Sequence, residues 1–474
     1  MKRTAVLNVV GLTPSLLGPS TPRIEVFRRQ GASATIEPVL PAVTCTAQST
    51  YLTGRTPAQH GIVGNGWYHR ELAEVQFWKQ SNHLVQGRKV WEELRAQCGM
   101  RNAECGTDRF TCAKLFWWFN MYASADWSIT PRPMYPADGR KVFDIYTGPL
   151  SIRDEIKRDL GDFPFPTFWG PAAGIRSPQG APDAASRWIA ESAKWIENRF
   201  APTLNLIYLP HLDYNLQRLG PKHPGITGDL QAIDALVGDL IDFFRQRSVQ
   251  VVVLSEYGIT EVDTPIHLNR VFRRQGWLTI KDELGLEMLD CGASRAFAVA
   301  DHQVAHVYLN DPSLAKPACA LIERQPGVAQ VLDADGKREA GLDHPRAGDL
   351  VVLAGERAWF TYYFWFDDAV APDFARTVDI HRKPGYDPVE LFLDPQLRLP
   401  RLKIGWRLLQ KRLGWRMLMD VIPLDASLVR GSHGVRPVKP EDWPVLITER
   451  PDLLSGPSIQ ATDIYGVIKR HVLT

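Results

Sequence analysis

The sequence lacks the features that mark several large classes of protein. Its six cysteines form neither a CxxC pair nor a zinc-finger spacing, which argues against a cysteine-based metal site. No run of about 18 or more apolar residues occurs, so we expect no membrane-spanning helix. Lys and Arg total 55 and Asp and Glu total 53, and this net charge of +2 gives no reason to expect a nucleic-acid partner.

The N-terminal apolar stretch does not have the form of an export signal. Residues 5–12 are few, include Asn8, and are not followed closely by a small-residue cleavage site. We therefore interpret this stretch as a buried first strand. Cysteines without a pairing pattern then favour a cytoplasmic protein, in which thiols stay reduced.

Apolar, β-branched runs alternate with longer helical patterns along the chain. The runs are 5–10, 204–209, 249–254 and 350–353, and apolar residues recur at helical spacing over 229–247. Runs that are apolar throughout are typical of parallel strands covered on both faces. The sequence therefore predicts an α/β fold, with a mainly parallel central sheet, helices on both faces, and ligands bound at the carboxyl ends of the strands.

One stretch of the chain does not follow this alternation. Residues 259–345 contain shorter strand patterns, at 296–300 and 304–309, which Gly, Asp and Pro interrupt. We predict an inserted α+β cap over 259–345. The first part of the core would then be 1–258, and the remainder of the core 346–474.

The strongest local pattern for chemistry spans residues 41–65. Pro41 can end an extended segment, Thr44 can begin a helix, and Gly54 can end that helix at a C-cap position. A hydroxyl at a helix N-terminus lies beside free backbone N–H groups in a positive field, which suits phosphate and favours an alkoxide nucleophile. On these residues alone, a threonine-capped helix without a catalytic role is the alternative.

The full pattern resembles the type I phosphodiesterase/nucleotide pyrophosphatase branch of the alkaline phosphatase superfamily. Residues 53–61, TGRTPAQHG, reproduce the family pattern T-G-x-x-P-x-x-H-G, and segments 209–221, 254–258 and 431–434 resemble later family motifs in order. The resemblance implies an alkaline-phosphatase-like core with Thr44 as a nucleophile that forms a phospho-enzyme. It also implies hydrolysis of a phosphodiester or pyrophosphate linkage in a small phosphorylated molecule.

The family uses two divalent metal ions, usually zinc, and this sequence keeps only part of their ligand set. The resemblance places Asp213 and His433 in ligand positions, with Glu256 standing where the family has Asp. The other ligand positions have lost their family residues: Val10, with Asn8 two residues earlier, Gln217 and Tyr257. The resemblance therefore does not imply a standard two-zinc site. It implies one divalent cation held by Asp213, His433 and Glu256, with Zn²⁺ preferred over Mn²⁺ or Mg²⁺.

A second hypothesis is that neighbouring residues rebuild a metal or substrate site. The candidates carry imidazole or carboxylate groups near strand ends or in loops: His211, Asp301, His302, Asp379 and His381. Each of them is also explained by an ordinary structural role. Arg382 and Lys383 are candidates to bind an anionic group, because both side chains favour phosphate.

Two further hypotheses concern function. The protein could be a catalytically altered member that binds a phosphorylated or prenylated metabolite, or a phosphoryl-group transferase. The aromatic runs 116–119 and 359–366 are either buried core or walls of a pocket for an apolar or ring-bearing substrate.

Residues 398–416 contradict the balanced charge of the whole chain. They contain seven basic residues and no acidic one, with leucine, isoleucine and tryptophan interleaved. A basic amphipathic helix of this composition can lie on an anionic membrane surface. The alternative is a surface helix that packs its apolar side on the core.

Overall fold

The computed structural model describes residues 1–105, 109–137, 140–169 and 183–474. The strands, in chain order, are β1 Thr4–Val9, β2 Ala32–Glu37, β3 Gly66–His69, β4 Glu74–Phe77, β5 Cys112–Leu115, β6 Trp127–Met134, β7 Val142–Gly148, β8 Leu204–Leu209, β9 Gln250–Leu254, β10 Thr260–Glu261, β11 Thr264–Ile266, β12 Thr279–Glu283, β13 Leu286–Asp290, β14 Ala296–Asp301, β15 Val304–Leu309, β16 Val328–Leu332, β17 Leu350–Ala354, β18 Ala358–Phe360, β19 Gly431–Ser432, β20 Val445–Thr448 and β21 Ser458–Gln460.

The α-helices follow in the same chain order. They are α1 Pro22–Gln30, α2 Thr44–Thr53, α3 Pro57–His60, α4 Val90–Cys105, α5 Ile152–Leu160, α6 Phe165–Trp169, α7 Ala184–Phe200, α8 His211–Leu219, α9 Ile226–Arg245, α10 Leu268–Arg274, α11 Ala315–Glu323, α12 Ala334–Glu339, α13 Pro400–Arg412 and α14 Ile464–Leu473.

A nine-stranded sheet forms the core, in the order β21-β2-β20-β9-β1-β8-β5-β6-β7. Its centre is parallel, since β1 pairs in parallel with both β8 and β9, and β5 continues the parallel run. Antiparallel pairings occur toward the edges, at β9 with β20 and at β6 with β7. The predicted mainly parallel sheet is confirmed, and the runs at 5–10, 204–209 and 249–254 form its three central strands.

Both faces of this sheet are covered. All six residues of β1 and all six of β8 are buried, and successive side chains of a strand point to opposite faces. The helix α9 contacts α1, α7 and the strand β9, and α7 also contacts β8, while α14 contacts α2, α4 and β1. Apolar residues on these helices shield the sheet from water on each side.

A second sheet explains the part of the chain that departs from the alternating pattern. The strands β14-β15-β17-β16 form an antiparallel sheet with its own buried core, which extends from residue 262 to residue 429 and also includes Tyr68 and Phe77. The predicted cap strands at 296–300 and 304–309 are present as β14 and β15. The run at 350–353, read as a core strand, instead forms β17 of this second sheet, so this unit continues past the predicted limit at 345.

The segments that follow the central strands meet at one edge of the main sheet. The chain leaves β8 into α8, which carries Asp213 and Gln217, and leaves β9 into Glu256 and Tyr257. The β14–β15 turn of the second sheet brings His302 to the same place. His433, which follows β19, lies beside His302 there. No helix in the described part of the chain is long and apolar enough to cross a bilayer.

Candidate active site

Thr44 is the first residue of α2 and lies in a buried position at the end of the sheet. It is 4% exposed, and the helix it begins ends at Gly54, whose φ of 65° is the left-handed C-cap conformation expected there. The N–H of Cys45 donates to Asn65 Oδ1, which fixes the start of the helix. The predicted helix with Thr44 at its N-terminus is therefore present.

A chain of hydrogen bonds leads from Thr44 into the protein. Its hydroxyl lies 3.2 Å from the Tyr257 hydroxyl, which donates to Asp213 Oδ1 over 3.0 Å. A phenol has a single proton, so Tyr257 accepts from Thr44 while it donates to Asp213. On the far side, Gln217 Nε2 donates to Asp213 Oδ2 over 2.9 Å, and the Tyr386 hydroxyl donates to Gln217 Oε1.

Glu256 is the centre of a second, adjoining group of amides. Its Oε1 accepts from the side-chain amides of Asn8 and Gln48, and Gln48 Oε1 in turn accepts the backbone N–H of Trp118. Its other oxygen, Oε2, is buried without a hydrogen-bond partner. Glu256 Oε2 is therefore without a hydrogen-bond partner inside the site, and burial raises the pKa of Glu256 although the Thr44 hydroxyl acts in the opposite direction.

Four aromatic rings lie in a row between the two sheets, with two stacked contacts and one tilted contact among them. His433 lies parallel to Tyr257 with ring centroids 3.6 Å apart, and His302 lies 3.8 Å from His433 and 3.7 Å from Tyr386. His433 Nδ1 is 2.7 Å from the carbonyl of Ala42, which leaves Nε2 buried and without a hydrogen-bond partner. His302 has a φ of 60°, a strained conformation for histidine of the kind that clusters at functional sites.

Burial controls the protonation of the site. It raises the pKa of Asp213 to about 7, although the bonds from Tyr257 and Gln217 act in the opposite direction. It raises the pKa of Glu256 to about 8, against the bonds from Gln48 and Asn8. It lowers the pKa of His302 and His433 well below the ordinary value, so both imidazoles are neutral at neutral pH.

The predicted metal ligands do not fit a metal site. Asp213 Oδ1 and His433 Nε2 come within 3.9 Å of each other, but both oxygens of Asp213 already accept from neutral donors, and one oxygen of Glu256 is held by amides. The Tyr257 hydroxyl lies between Thr44 and Asp213 and is hydrogen-bonded to both. Among the described residues, no three His, Cys, Asp or Glu side chains form a group that could hold a metal ion.

Of the residues proposed to rebuild a site, only those of the β14–β15 turn reach it. His302 lines the pocket, and Asp301 supports it from behind, since its Oδ1 lies 2.8 Å from His302 Nδ1 and both of its oxygens accept from Asn65. His211 lies elsewhere, with Nε2 3.0 Å from Asp229 Oδ1. Its role is a structural contact between α8 and α9.

The remaining candidates have partners of their own. Asp379 lies 3.8 Å from Lys141 Nζ, and His381 Nδ1 lies 3.3 Å from the carbonyl of Phe77. The proposed anion site is not formed, because Lys383 is 1% exposed and is held at 2.7 Å by both Asp387 and Glu390. Arg382 points to the surface, where it pairs with Asp373.

Several residues of the site were not found from the sequence. Gln48 is one helical turn after Thr44, and this i, i+4 spacing places both side chains on the same face of α2. The spacing could therefore have predicted that Gln48 belongs to the site. Tyr386 gave no comparable signal as a partner of Gln217, because it comes from a loop far along the chain. Of the two aromatic runs, 116–119 contributes Trp118 to the pocket, whereas 359–366 packs mainly in the second core.

The pocket in front of Thr44 is small and aromatic. Its cavity measures about 80 Å³. Its polar lining groups include Thr44, Asp213, His302 and Glu390, and its aromatic walls are Trp78, Trp118, Phe168, Tyr208, Tyr214, Tyr257 and Tyr386. Among the described residues, no Lys or Arg lines it.

Comparison with known proteins agrees with this fold. The profile of the type I phosphodiesterase/nucleotide pyrophosphatase family matches residues 4–387. An uncharacterised pyrophosphatase/phosphodiesterase from Schizosaccharomyces pombe is 23% identical over 279 residues, which are 56% of this chain and 46% of that protein. The chain thus spans about half the length of this curated relative.

Solved structures give the same result over the whole chain. Murine ectonucleotide pyrophosphatase/phosphodiesterase 5, in an inactive form in complex with AMP, is 13% identical with a TM-score of 0.57, and the match covers 100% of this chain and 95% of that one. Phosphonoacetate hydrolase from Sinorhizobium meliloti 1021, in complex with phosphonoformate, is 13% identical with a TM-score of 0.61, covering 99% and 96%. At this identity, the likeness shows a shared fold.

The raised pKa of Glu256 predicts how stability depends on pH. Below the ordinary carboxyl pKa of 4.5 the group is neutral in both the folded and the unfolded protein, and between 4.5 and about 8 only the folded protein keeps its proton. The contribution of this group to stability therefore falls as pH rises through that window. Glu256→Gln keeps the neutral form, so its melting temperature should exceed that of the parent by a margin that grows from pH 5 to pH 8.

Thermal melts of both proteins from pH 5 to pH 9 measure this margin. Glu71→Gln is the matched control, because Glu71 is exposed and its replacement should give no such trend. A margin that is constant with pH, or that shrinks as pH rises, would contradict the buried, protonated Glu256.

Proposed function

The chain belongs to the type I phosphodiesterase/nucleotide pyrophosphatase family, and on that premise we propose that it hydrolyses a phosphodiester bond in a small organic molecule through covalent attack by Thr44. The family consists of phosphoric-ester hydrolases that generally depend on divalent metals. The observation that carries the proposal is the hydrogen-bond chain from Thr44 through Tyr257 to Asp213, because it gives the nucleophile a path for its proton.

The proposed reaction uses this chain as a base. As Thr44 Oγ1 bonds to phosphorus and the ester P–O bond breaks, the Thr44 proton passes to Tyr257 and the Tyr257 proton passes to Asp213. The departing oxygen takes a proton from solvent, and Asp213 releases its own. A pKa of about 7 suits Asp213 to this cycle at neutral pH. Water then attacks the phosphorus of the phosphoryl-threonine, which still carries the second ester group, and the bond from phosphorus to Thr44 Oγ1 breaks. The proton that the water gives up passes to Asp213, and the chain runs in reverse through Tyr257 to return a proton to Thr44.

Hydrogen-bond donors near Thr44 would stabilise the negative charge of the phosphoryl group. The first turn of α2 presents backbone N–H groups, and those of Thr44 and Thr46 donate to no recorded acceptor in the described part of the chain. The positive end of the helix is directed at the same point. Protonated Glu256, with its unpartnered Oε2, adds a neutral donor beside Thr44, in the manner of other carboxylic acids kept neutral by burial.

The pocket favours a substrate of low charge. Its aromatic walls suit an apolar or ring-bearing group, and its lining provides no Lys or Arg to compensate a second negative charge. A phosphodiester carries one negative charge and a phosphomonoester close to two at neutral pH. The same argument places a diester ahead of a pyrophosphate linkage.

Replacement of Thr44 tests the nucleophile. Thr44→Ala should lower the kcat for a chromogenic diester by more than about 10³-fold, since the residual rate comes from binding alone. Thr46→Ala is the matched control: Thr46 is buried in the same helix with an unpartnered hydroxyl, so its loss should leave turnover largely unchanged. Mass spectrometry of the acid-quenched parent enzyme should find the phosphoryl group on Thr44 with the second ester group of the substrate still attached.

Equal loss in both variants, or undiminished turnover in Thr44→Ala, would exclude the assignment. A parent protein that binds diesters but never turns them over would instead favour the metabolite-binding alternative.

Chelation tests the role of metals. Because neutral hydrogen-bond donors occupy both oxygens of Asp213 and one oxygen of Glu256, dialysis against EDTA should leave diesterase activity undiminished, and added Zn²⁺, Mn²⁺ or Mg²⁺ should not raise it. Activity that disappears on chelation and returns with Zn²⁺ would contradict this proposal. It would instead support a cation held by Asp213 and His433, as the family resemblance implies.

Paired substrates test the charge preference. We expect kcat/KM for bis(4-nitrophenyl) phosphate to exceed that for 4-nitrophenyl phosphate by about tenfold or more at pH 7.5, because the second charge of the monoester would be buried without compensation. The comparison keeps the leaving group constant. A monoester preference would exclude the diesterase assignment.

A further inference from the structure

The helix α13 is joined to the rest of the protein by few contacts. Over Pro400–Arg412 it contains no buried residue, and Ile404 is its one side chain packed against the second core. On the same side, Lys403 and Arg407 both pair with Asp420, at 2.9 Å each. These contacts fix which side of the helix faces the protein.

The opposite side of α13 is an outward apolar stripe. Leu402, Trp406, Leu409 and Leu413 follow one another at intervals of four, three and four residues, which places them in one line along the helix. They are 67%, 52%, 44% and 55% exposed. A surface helix ordinarily turns its apolar side toward the core, so this orientation is the reverse of the one that folding alone would favour.

Exposed apolar residues are concentrated here. Of the 19 large hydrophobic side chains exposed in the described part of the chain, eight lie between Leu399 and Leu418. Isolated exposed hydrophobic residues are normal, whereas a contiguous group of this kind marks a surface that binds something apolar.

Positive charge surrounds the stripe. No acidic residue lies between Asp394 and Asp420, and only Lys403 and Arg407 are neutralised by Asp420. The other basic residues of the segment have no ion pair recorded among the described residues: Arg398, Arg401, Lys411, Arg412 and Arg416. The partner of this surface must therefore be both apolar and negatively charged.

We propose that α13 and the turn that follows it, residues 400–418, dock the protein on the surface of an anionic lipid bilayer. The leucines and Trp406 would enter the boundary between headgroups and acyl chains, and the free basic residues would contact lipid phosphates. A nucleic acid would match the charge but would leave the leucine stripe in water. A second copy of this chain would match the stripe but would repel the charge.

Flotation with lipid vesicles tests the proposal with the full chain. Vesicles of phosphatidylcholine alone should bind little protein, and vesicles with one quarter phosphatidylglycerol should bind it in a salt-sensitive manner. Lys411→Glu/Arg412→Glu should weaken binding by about 20-fold or more. Trp406→Ser/Leu409→Ser should weaken it by about tenfold or more.

Two matched controls separate this surface from general charge and hydrophobicity. Lys316→Glu/Arg324→Glu makes the same charge change at the two ends of α11, and Leu150→Ser/Leu284→Ser removes two exposed leucines elsewhere. Both should bind like the parent, and thermal melts should show all four variants to be folded. Because binding is measured without turnover, the outcome is independent of whether Thr44 is a nucleophile.

Three results would overturn the proposal. One is equal binding to both kinds of vesicle, and another is binding that neither α13 variant weakens. The third is the absence of vesicle binding together with either tight binding to a fluorescent oligonucleotide or a stable dimer in solution. The first two results would show that this segment does not dock on anionic lipid, and the third would assign it to a nucleic acid or to a second copy of the chain.

Discussion

The hydrogen bond from Tyr257 to Asp213 is the interaction on which the site depends. It joins the loop after β9 to the helix after β8, and its phenol oxygen accepts from Thr44 at the start of α2. The Tyr257 ring also stacks on His433, which follows β19, with the two ring centroids 3.6 Å apart. One side chain therefore fixes the relative positions of four separate parts of the chain, and removing its hydroxyl would leave the buried Asp213 with one donor fewer.

The protonation of the rest of the site depends on two buried carboxyl groups, Asp213 and Glu256, that have no Lys or Arg side chain as a partner among the described residues. In a medium of low dielectric, a carboxylate either finds a positive partner or keeps its proton. Asp213 and Glu256 are surrounded by phenol and amide groups, and burial raises the pKa of each toward neutrality. A pair of acids whose pKa values lie near 7 and 8 can accept and donate protons at neutral pH.

Sequence patterns predicted those parts of the fold whose structure is determined by residues close together in the chain. The central strands, the helix that begins at Thr44, and its C-cap at Gly54 all depend on neighbours in sequence. The run at 350–353 was correctly read as a strand but assigned to the wrong sheet, because an apolar run does not specify its partner. The bond between Gln217 and Tyr386 joins residues 169 positions apart, and only the assembled fold brings them together. The predicted ligands Asp213, Glu256 and His433 were assigned from positions in motifs, and such a position does not reveal which neighbours bond to the carboxyl oxygens.

The central claim is that the Tyr257 hydroxyl carries the Thr44 proton to Asp213 without a metal ion, and the kcat of Tyr257→Phe in chelator-treated buffer tests it most directly. Phenylalanine keeps the ring that stacks on His433 and removes only the hydroxyl, so KM and thermal stability report whether the site is otherwise intact. The account predicts a kcat for diester hydrolysis lower by about 10²–10³-fold, with KM little changed. A kcat equal to that of the parent enzyme would contradict it.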